Sequence, residues 1–115
     1  TPSRGDVVTV RWTHDGVTEE LIKRVVALAG DTIAVDGDIV MVNGAKESFP
    51  HGVLTGPSRR AFTMTVPKGT VFLCGDNRIV SLDSRYIGPL PVSNIHGRVV
   101  AVWAPIDRMR VVPSP

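Results

Sequence analysis

An all-β fold is predicted by three features of this sequence. β-Branched runs recur along it, with valine the commonest residue. Eleven glycines and nine prolines punctuate those runs as turns. No segment holds an apolar period of 3.6 long enough for a helix beyond a single turn. At 115 residues the chain makes one domain, 1–115, with a modest core. An apolar content of 43% makes it globular rather than disordered.

In chain order, Arg4-Gly5-Asp6 leads into a strand, Val7 to Trp12. An adhesion role for that triplet would need an exposed loop tip, so the triplet is read as chance. His14-Asp15-Gly16 is a turn. Glu19 to Leu28 is a second strand, with Leu21, Lys23, Val25 and Ala27 on one face and Ile22, Arg24, Val26 and Leu28 on the other. Both faces are apolar apart from one cation each, so the strand is covered on both sides. Periodicity does not say which cation is desolvated. Arg stays protonated in any surroundings whereas Lys titrates when desolvated, so a base here would be Lys23. On these residues alone the plainer arrangement is favoured, with both stems packed along apolar surface and both heads in water.

Thr32–Val35 and Asp38–Val42 flank Asp36-Gly37, a hairpin signal because Asp-Gly supplies the positive φ of a primed turn. Asn43-Gly44 is a further turn. Residues 45–60, with Pro50, Gly52, Gly56 and Pro57, read as a long flexible surface connection. Phe62–Val66 and Thr70–Cys74 are strands, Tyr86–Pro91 a stiff exit, and Val92–Ile95 a single helical turn. His96–Trp103 is the last strand, and Met109–Pro115 reads as a tail.

Composition excludes several roles. The net charge of +2 is spread along the chain, and the pairs Lys23-Arg24 and Arg59-Arg60 are too few for a nucleic-acid stripe. A single cysteine, Cys74, rules out an intrachain disulfide and reads as a small buried hydrophobe. His14, His51 and His96 have no metal-ligand companions at useful spacing, so neither zinc nor another cofactor is expected. No apolar run approaches the roughly 18 residues of a membrane span, and there is no secretory signal. The chain opens on Thr1-Pro2-Ser3, so it reads as a fragment or processed form whose membrane anchor would lie upstream.

The densest chemistry follows the apolar run Val71–Cys74. Between Gly75 and Arg85 lie two acids, two arginines, an asparagine and two serines. A strand that delivers such a segment into a loop places chemistry rather than core. Asp83 and Arg85 are spaced to pair across a turn, and Ser81 is a hydroxyl available to orient another group.

In these stretches the chain resembles the type I signal peptidases, a family of membrane-bound serine proteases. The likeness rests on Arg4-Gly5-Asp6-Val7-Val8, on Lys23 to Asp31, and on Gly75-Asp76-Asn77-Arg78 with Ser81 and Asp83-Ser84-Arg85. Lesser agreements are Val42-Asn43-Gly44, Val66-Pro67-Lys68-Gly69, Gly88 and Ile95-His96-Gly97-Arg98, so it spans nearly the whole chain.

The resemblance implies compact antiparallel sheets in a partly closed barrel, and a Ser/Lys dyad. Lys23 would be the general base and Ser81 the hydroxyl holding its amine. Asp83 and Arg85 would buttress the site, with Gly75, Asp76, Asn77, Arg78 and Ser84 shaping it. Signal peptides of preproteins would bind extended along Glu20-Leu21-Ile22, with Ile22 lining a shallow pocket. The domain would be a monomer outside the cytoplasm at the bacterial membrane, held to the lipid by a span absent from this chain.

Elementary chemistry agrees with a lysine base. Its ordinary pKa of about 10.4 leaves it charged at neutral pH, so burial must lower it. A carboxylate facing the amine would restore the charge, so Asp83 must face Arg85. Two departures stand out. Ala29 occupies a turn position usually held by Pro in the family. The Ser-Met-x-Pro-like stretch bearing the nucleophile is absent, and Ser3 lacks its context, so this polypeptide alone is expected to be inactive. The remaining alternatives are a conjugative-transfer or organelle maturation peptidase of the same fold, and an inactive peptide-binding homologue. A self-cleaving repressor domain is excluded because no Lys follows Lys68.

Overall fold

The computed structural model describes residues 2–36, 39–47, 61–75, 83–101 and 109–113. β1 (Val7–His14) and β2 (Val17–Leu28) form a long antiparallel hairpin in register from Val7↔Arg24 to His14↔Val17. Its turn is two residues, Asp15 at φ 50° and Gly16 at φ 75°. Such a pair matches the strands' own right-handed twist. The next strands are β3 (Thr32–Asp36), β4 (Ile39–Val42), β5 (Ala45–Lys46), β6 (Ala61–Thr65) and β7 (Thr70–Cys74). A four-residue helix, α1 (Ser84–Ile87), precedes β8 (Leu90–Pro91), a 3₁₀ turn at Val92–Asn94, β9 (Ile95–Ala101) and β10 (Met109–Pro113).

All pairings are antiparallel, in a six-stranded sheet ordered β10-β9-β1-β2-β7-β8 and a four-stranded sheet ordered β5-β4-β3-β6. The all-β expectation holds, and among the described residues neither sheet closes into a complete barrel. The predicted hairpin is β3–β4, paired through Asp36↔Ile39. Residues 37 and 38 of its turn lie outside the described residues.

One core cluster lies between the sheets. Val26 and Ala27 of β2 and Phe72 and Cys74 of β7 meet Ile33, Val35, Val40, Val42 and Val66. A second cluster, Val8, Val10, Val25, Val71, Leu73 and Leu90, lies on the opposite face of the larger sheet, with Leu21, Ile87, Val92 and Ile95 packed on it. β7 is thus buried on both faces, as its continuous apolar run requires, whereas β2 is so buried only over Arg24–Ala27, with Val17–Glu20 and Ile22 exposed. A bulge shapes the buried end of β2. The register against β7 steps from Val25↔Leu73 to Ala27↔Phe72, leaving Val26 unmatched. Val26 and Ala27 therefore both turn to the inter-sheet core, while Val25, and by alternation Lys23 and Leu21, face the second cluster.

Three expectations need correction. Met109–Pro113 is not a tail but an edge strand on β9. Pro113 is its last residue, paired with Gly97, and an edge strand tolerates Pro because one row of its N–H groups has no ladder partner. Tyr86–Pro91 is not a plain exit, since Tyr86 and Ile87 complete α1 and Leu90–Pro91 form β8. The connection over 45–60 opens with a strand, β5, joined to β4 by Asn43 (φ 52°) and Gly44 (φ 82°). Residues 48–60 lie outside the described residues.

Candidate active site

The site grows from the end of β7. β8 pairs only with Thr70 and Val71, and beyond it the Ser84 Oγ accepts the Leu73 N–H at 2.9 Å. Ser84 is buried, so this hydroxyl replaces a strand partner. A Ser84→Ala variant leaves that buried N–H unsatisfied. A loss of about 1–3 kcal/mol is expected in denaturant unfolding.

Asp83 does three things at once. It caps α1, with Oδ1 accepting the Arg85 N–H at 3.0 Å. It ties α1 to the strand end, with Oδ2 accepting the Gly75 N–H at 3.0 Å. It also grips the Arg85 guanidinium, whose Nε donates to Oδ1 at 2.9 Å and Nη2 to Oδ2 at 3.0 Å. Both side chains are buried. Burial pushes the Asp83 carboxyl up, but the bonds from Arg85 and Gly75 outweigh it and hold the group below its ordinary 3.8. Burial likewise opposes the Arg85 charge, and Asp83 more than restores it. The expected Asp83–Arg85 pair is therefore present as a bidentate, buried ion pair.

Lys23 stands on β2 opposite Val8, on the face that carries Leu21 and Val25. It is half-buried, and burial lowers its amine below the ordinary 10.5. The charges of Asp83 and Cys74 act against that shift, and the Arg85 charge assists it. The second cation of β2 is the more deeply buried. Arg24 is 8% exposed and donates from Nη1 to the Gly5 carbonyl at 2.8 Å. The simple picture of two stems with both heads in water is thus corrected, because the buried end of β2 and the turn before β1 enclose the guanidinium. Alternation could not reveal this, since Gly5 is brought over Arg24 by the β1–β2 register.

Of the expected peptide-binding residues, Leu21 is half-buried beside Lys23. Ile22 points to the opposite face and is 63% exposed. Glu20 is exposed, its carboxylate 3.3 Å from His96 Nε2. β7 pairs with β2 only from Arg24 onward, so along Glu19–Ile22 the second edge of β2 has no strand partner among the described residues. Asp76, Asn77, Arg78 and Ser81 lie outside the described residues.

A half-buried lysine on an apolar sheet face thus stands near a buried acid–base pair and a strand edge that has no partner among the described residues. The chain matches the family described as signal peptidase, peptidase S26, over residues 1–104, and it belongs to that family. It is 33% identical to a signal peptidase I of Leptolyngbya laminosa, over 99% of this chain and 59% of that protein. It is 46% identical to thylakoidal processing peptidase 1 of Arabidopsis thaliana, over 73% of this chain and 25% of the relative. The crystal structure of a signal peptidase I from Enterococcus faecalis V583 superposes with a TM-score of 0.67 at 27% identity, covering 87% of this chain and 97% of that one. The chain spans little more than half the length of most of the curated relatives it matches.

Proposed function

We propose that this chain carries the base of a type I signal peptidase, a serine endopeptidase that removes signal peptides from preproteins after a small residue. The observation that carries the reading is Lys23, half-buried with a lowered amine pKa, in a chain of the S26 family. In the neutral form Lys23 takes the proton of a serine outside these 115 residues. The seryl oxygen attacks the scissile carbonyl, and the ammonium so formed protonates the leaving amine. Water, deprotonated by the same amine, then releases the acyl group. Ser81 holds the amine in line, and Gly75, Asp76, Asn77 and Arg78 shape the loop around it. Asp83, Ser84 and Arg85 hold that loop to β7.

The substrate lies extended along Glu20-Leu21-Ile22, adding a strand to the open edge of β2. The domain works as a monomer at the outer face of a bacterial membrane, held there by a segment outside these residues. Among the described residues no helix is long and apolar enough to cross a membrane. An organelle maturation peptidase remains the second reading. It is favoured by similarity to the thylakoidal enzyme and by 37% identity over 99% of this chain to the mitochondrial ATP-independent inner membrane protease subunit 1b of Arabidopsis thaliana.

The test presents the full protein with a preprotein whose signal peptide ends in Ala-x-Ala, and reads the new N-terminus by mass. Cleavage directly after the final Ala is expected, with loss of cleavage when that Ala becomes Phe. Ser81→Ala should lower kcat by about tenfold to a hundredfold through misorientation of the amine. Indifference to the final residue would contradict the reading.

A further inference from the structure

Gly5 and Asp6 of the Arg4-Gly5-Asp6 triplet join Ser3 in a turn at the entry to β1. The Asp6 carboxylate Oδ2 accepts the Ser3 N–H at 2.9 Å, and the Asp6 N–H donates to the Ser3 carbonyl at 3.1 Å. These two bonds close a turn on itself. Gly5 sits in it at φ 93°, where a side chain is strained. The turn is fastened to β2 at one residue: the Gly5 N–H donates to the Val25 carbonyl at 2.8 Å, and the Val25 N–H to the Asp6 carbonyl at 2.7 Å. The buried Arg24 guanidinium supplies a third bond, to the Gly5 carbonyl. On the opposite edge, Val25 is the last matched residue before the bulge against β7. β2 is therefore gripped on both edges two residues from Lys23.

We propose that Arg24, acting through the Ser3–Asp6 turn it holds, is a positioning residue for Lys23. Arg24 itself projects from the face opposite Lys23, so it touches neither the amine nor what the amine acts on. Its contribution is to keep the Lys23–Val25 segment seated against β1, so that the Lys23 stem stays packed beside Val8 and Leu21. If the clamp is released, that segment lifts and water reaches the amine. Among the described residues the charges that act on Lys23 do not include that of Arg24, so a change in the amine shared by Arg24→Met and Gly5→Ala reports seating, since Gly5→Ala keeps the cation. The inference rests on the reading of Lys23 as the base.

The experiment compares Arg24→Met, Arg24→Lys and Gly5→Ala in the full protein. The Lys23 amine is titrated by trace acetylation across pH with peptide mass readout, and kcat and KM are measured on an Ala-x-Ala substrate. Arg24→Met and Gly5→Ala should both move the Lys23 midpoint upward toward the ordinary lysine value. They should lower kcat about tenfold or more with little change in KM, as a small misplacement of a reacting group does. Arg24→Lys, keeping a cationic donor, should recover much of both. An unchanged Lys23 midpoint in Gly5→Ala and Arg24→Met overturns the proposal. If Arg24→Met does not fold, Gly5→Ala decides alone, because it strains the turn while leaving the buried cation in place. Full cleavage by a Lys23→Ala control would instead sink the functional reading, and the acetylation midpoints would still decide the clamp.

Discussion

Replacing Lys23 with Met is expected to reduce cleavage of an Ala-x-Ala peptide by about a hundredfold to ten-thousandfold, the range a general base contributes. The same change is expected to leave the domain folded and slightly more stable at neutral pH. The two effects have one origin. Lys23 is held on an apolar face where burial works against its charge, so the amine is worse off folded than unfolded. Methionine has a similar reach and fits the surroundings of Val8, Leu21 and Val25 without that cost. The sign with pH follows. Below the folded pKa of Lys23 both states are protonated and the cost is fully present. Between that value and the ordinary 10.5 the unfolded chain binds more protons, so wild-type stability rises with pH. The advantage of the Met variant should therefore be largest at neutral pH and vanish in strong alkali. Wild-type kcat/KM should rise with pH through the same folded midpoint. Thermal melts and rate profiles on one pair of proteins check both halves.

Asp83→Asn is expected to be the most destabilising single change in the site. Asp83 receives four hydrogen bonds, two of them from a guanidinium buried with it. Removing its charge breaks the buried pair from one side, a loss of about 3–5 kcal/mol. In a domain of this size that lowers the melting temperature by on the order of 10–20 °C. The Asp83 contribution is present above its ordinary 3.8 and lost as pH falls through its lower folded pKa. Wild type and variant should thus converge in acid and differ fully at neutral pH. Asp83 also raises the Lys23 amine whereas Arg85 lowers it. Where Asp83→Asn still folds, its rate profile should move to lower pH. Equal stability of the two proteins at neutral pH would contradict the assigned role of the pair.

What could be read from the sequence was whatever depended on short-range pattern. The β3–β4 hairpin announced itself through Asp36-Gly37, and the double burial of β7 through its unbroken apolar run, whereas β2 is covered on both sides only over Arg24–Ala27. The Asp83–Arg85 pair was legible because two residues of spacing bring opposite charges together at a turn. Features built by long-range register were hidden. Arg24 meets Gly5 only because Val7 pairs with Arg24, which no local pattern encodes. Met109–Pro113 carried no local strand signal of its own, and what makes it a strand is β9 alongside. α1 is too short for a period, and the available signal was a capping Asp83 with Gly88 just beyond the last turn. The Val25/Ala27 bulge, which turns Ala27 away from the face of Lys23 and Val25 and onto that of Val26, likewise leaves no mark in composition.

Proton chemistry at one side chain underlies the whole account, and NMR reads it directly. With three lysines in these 115 residues, the Cε resonances are few enough to assign by substitution and follow across pH. The Lys23 resonance should titrate below 10.5, at the midpoint that governs kcat/KM. A Lys23 that titrates at or above the ordinary value, or a rate profile indifferent to its midpoint, would contradict the mechanism.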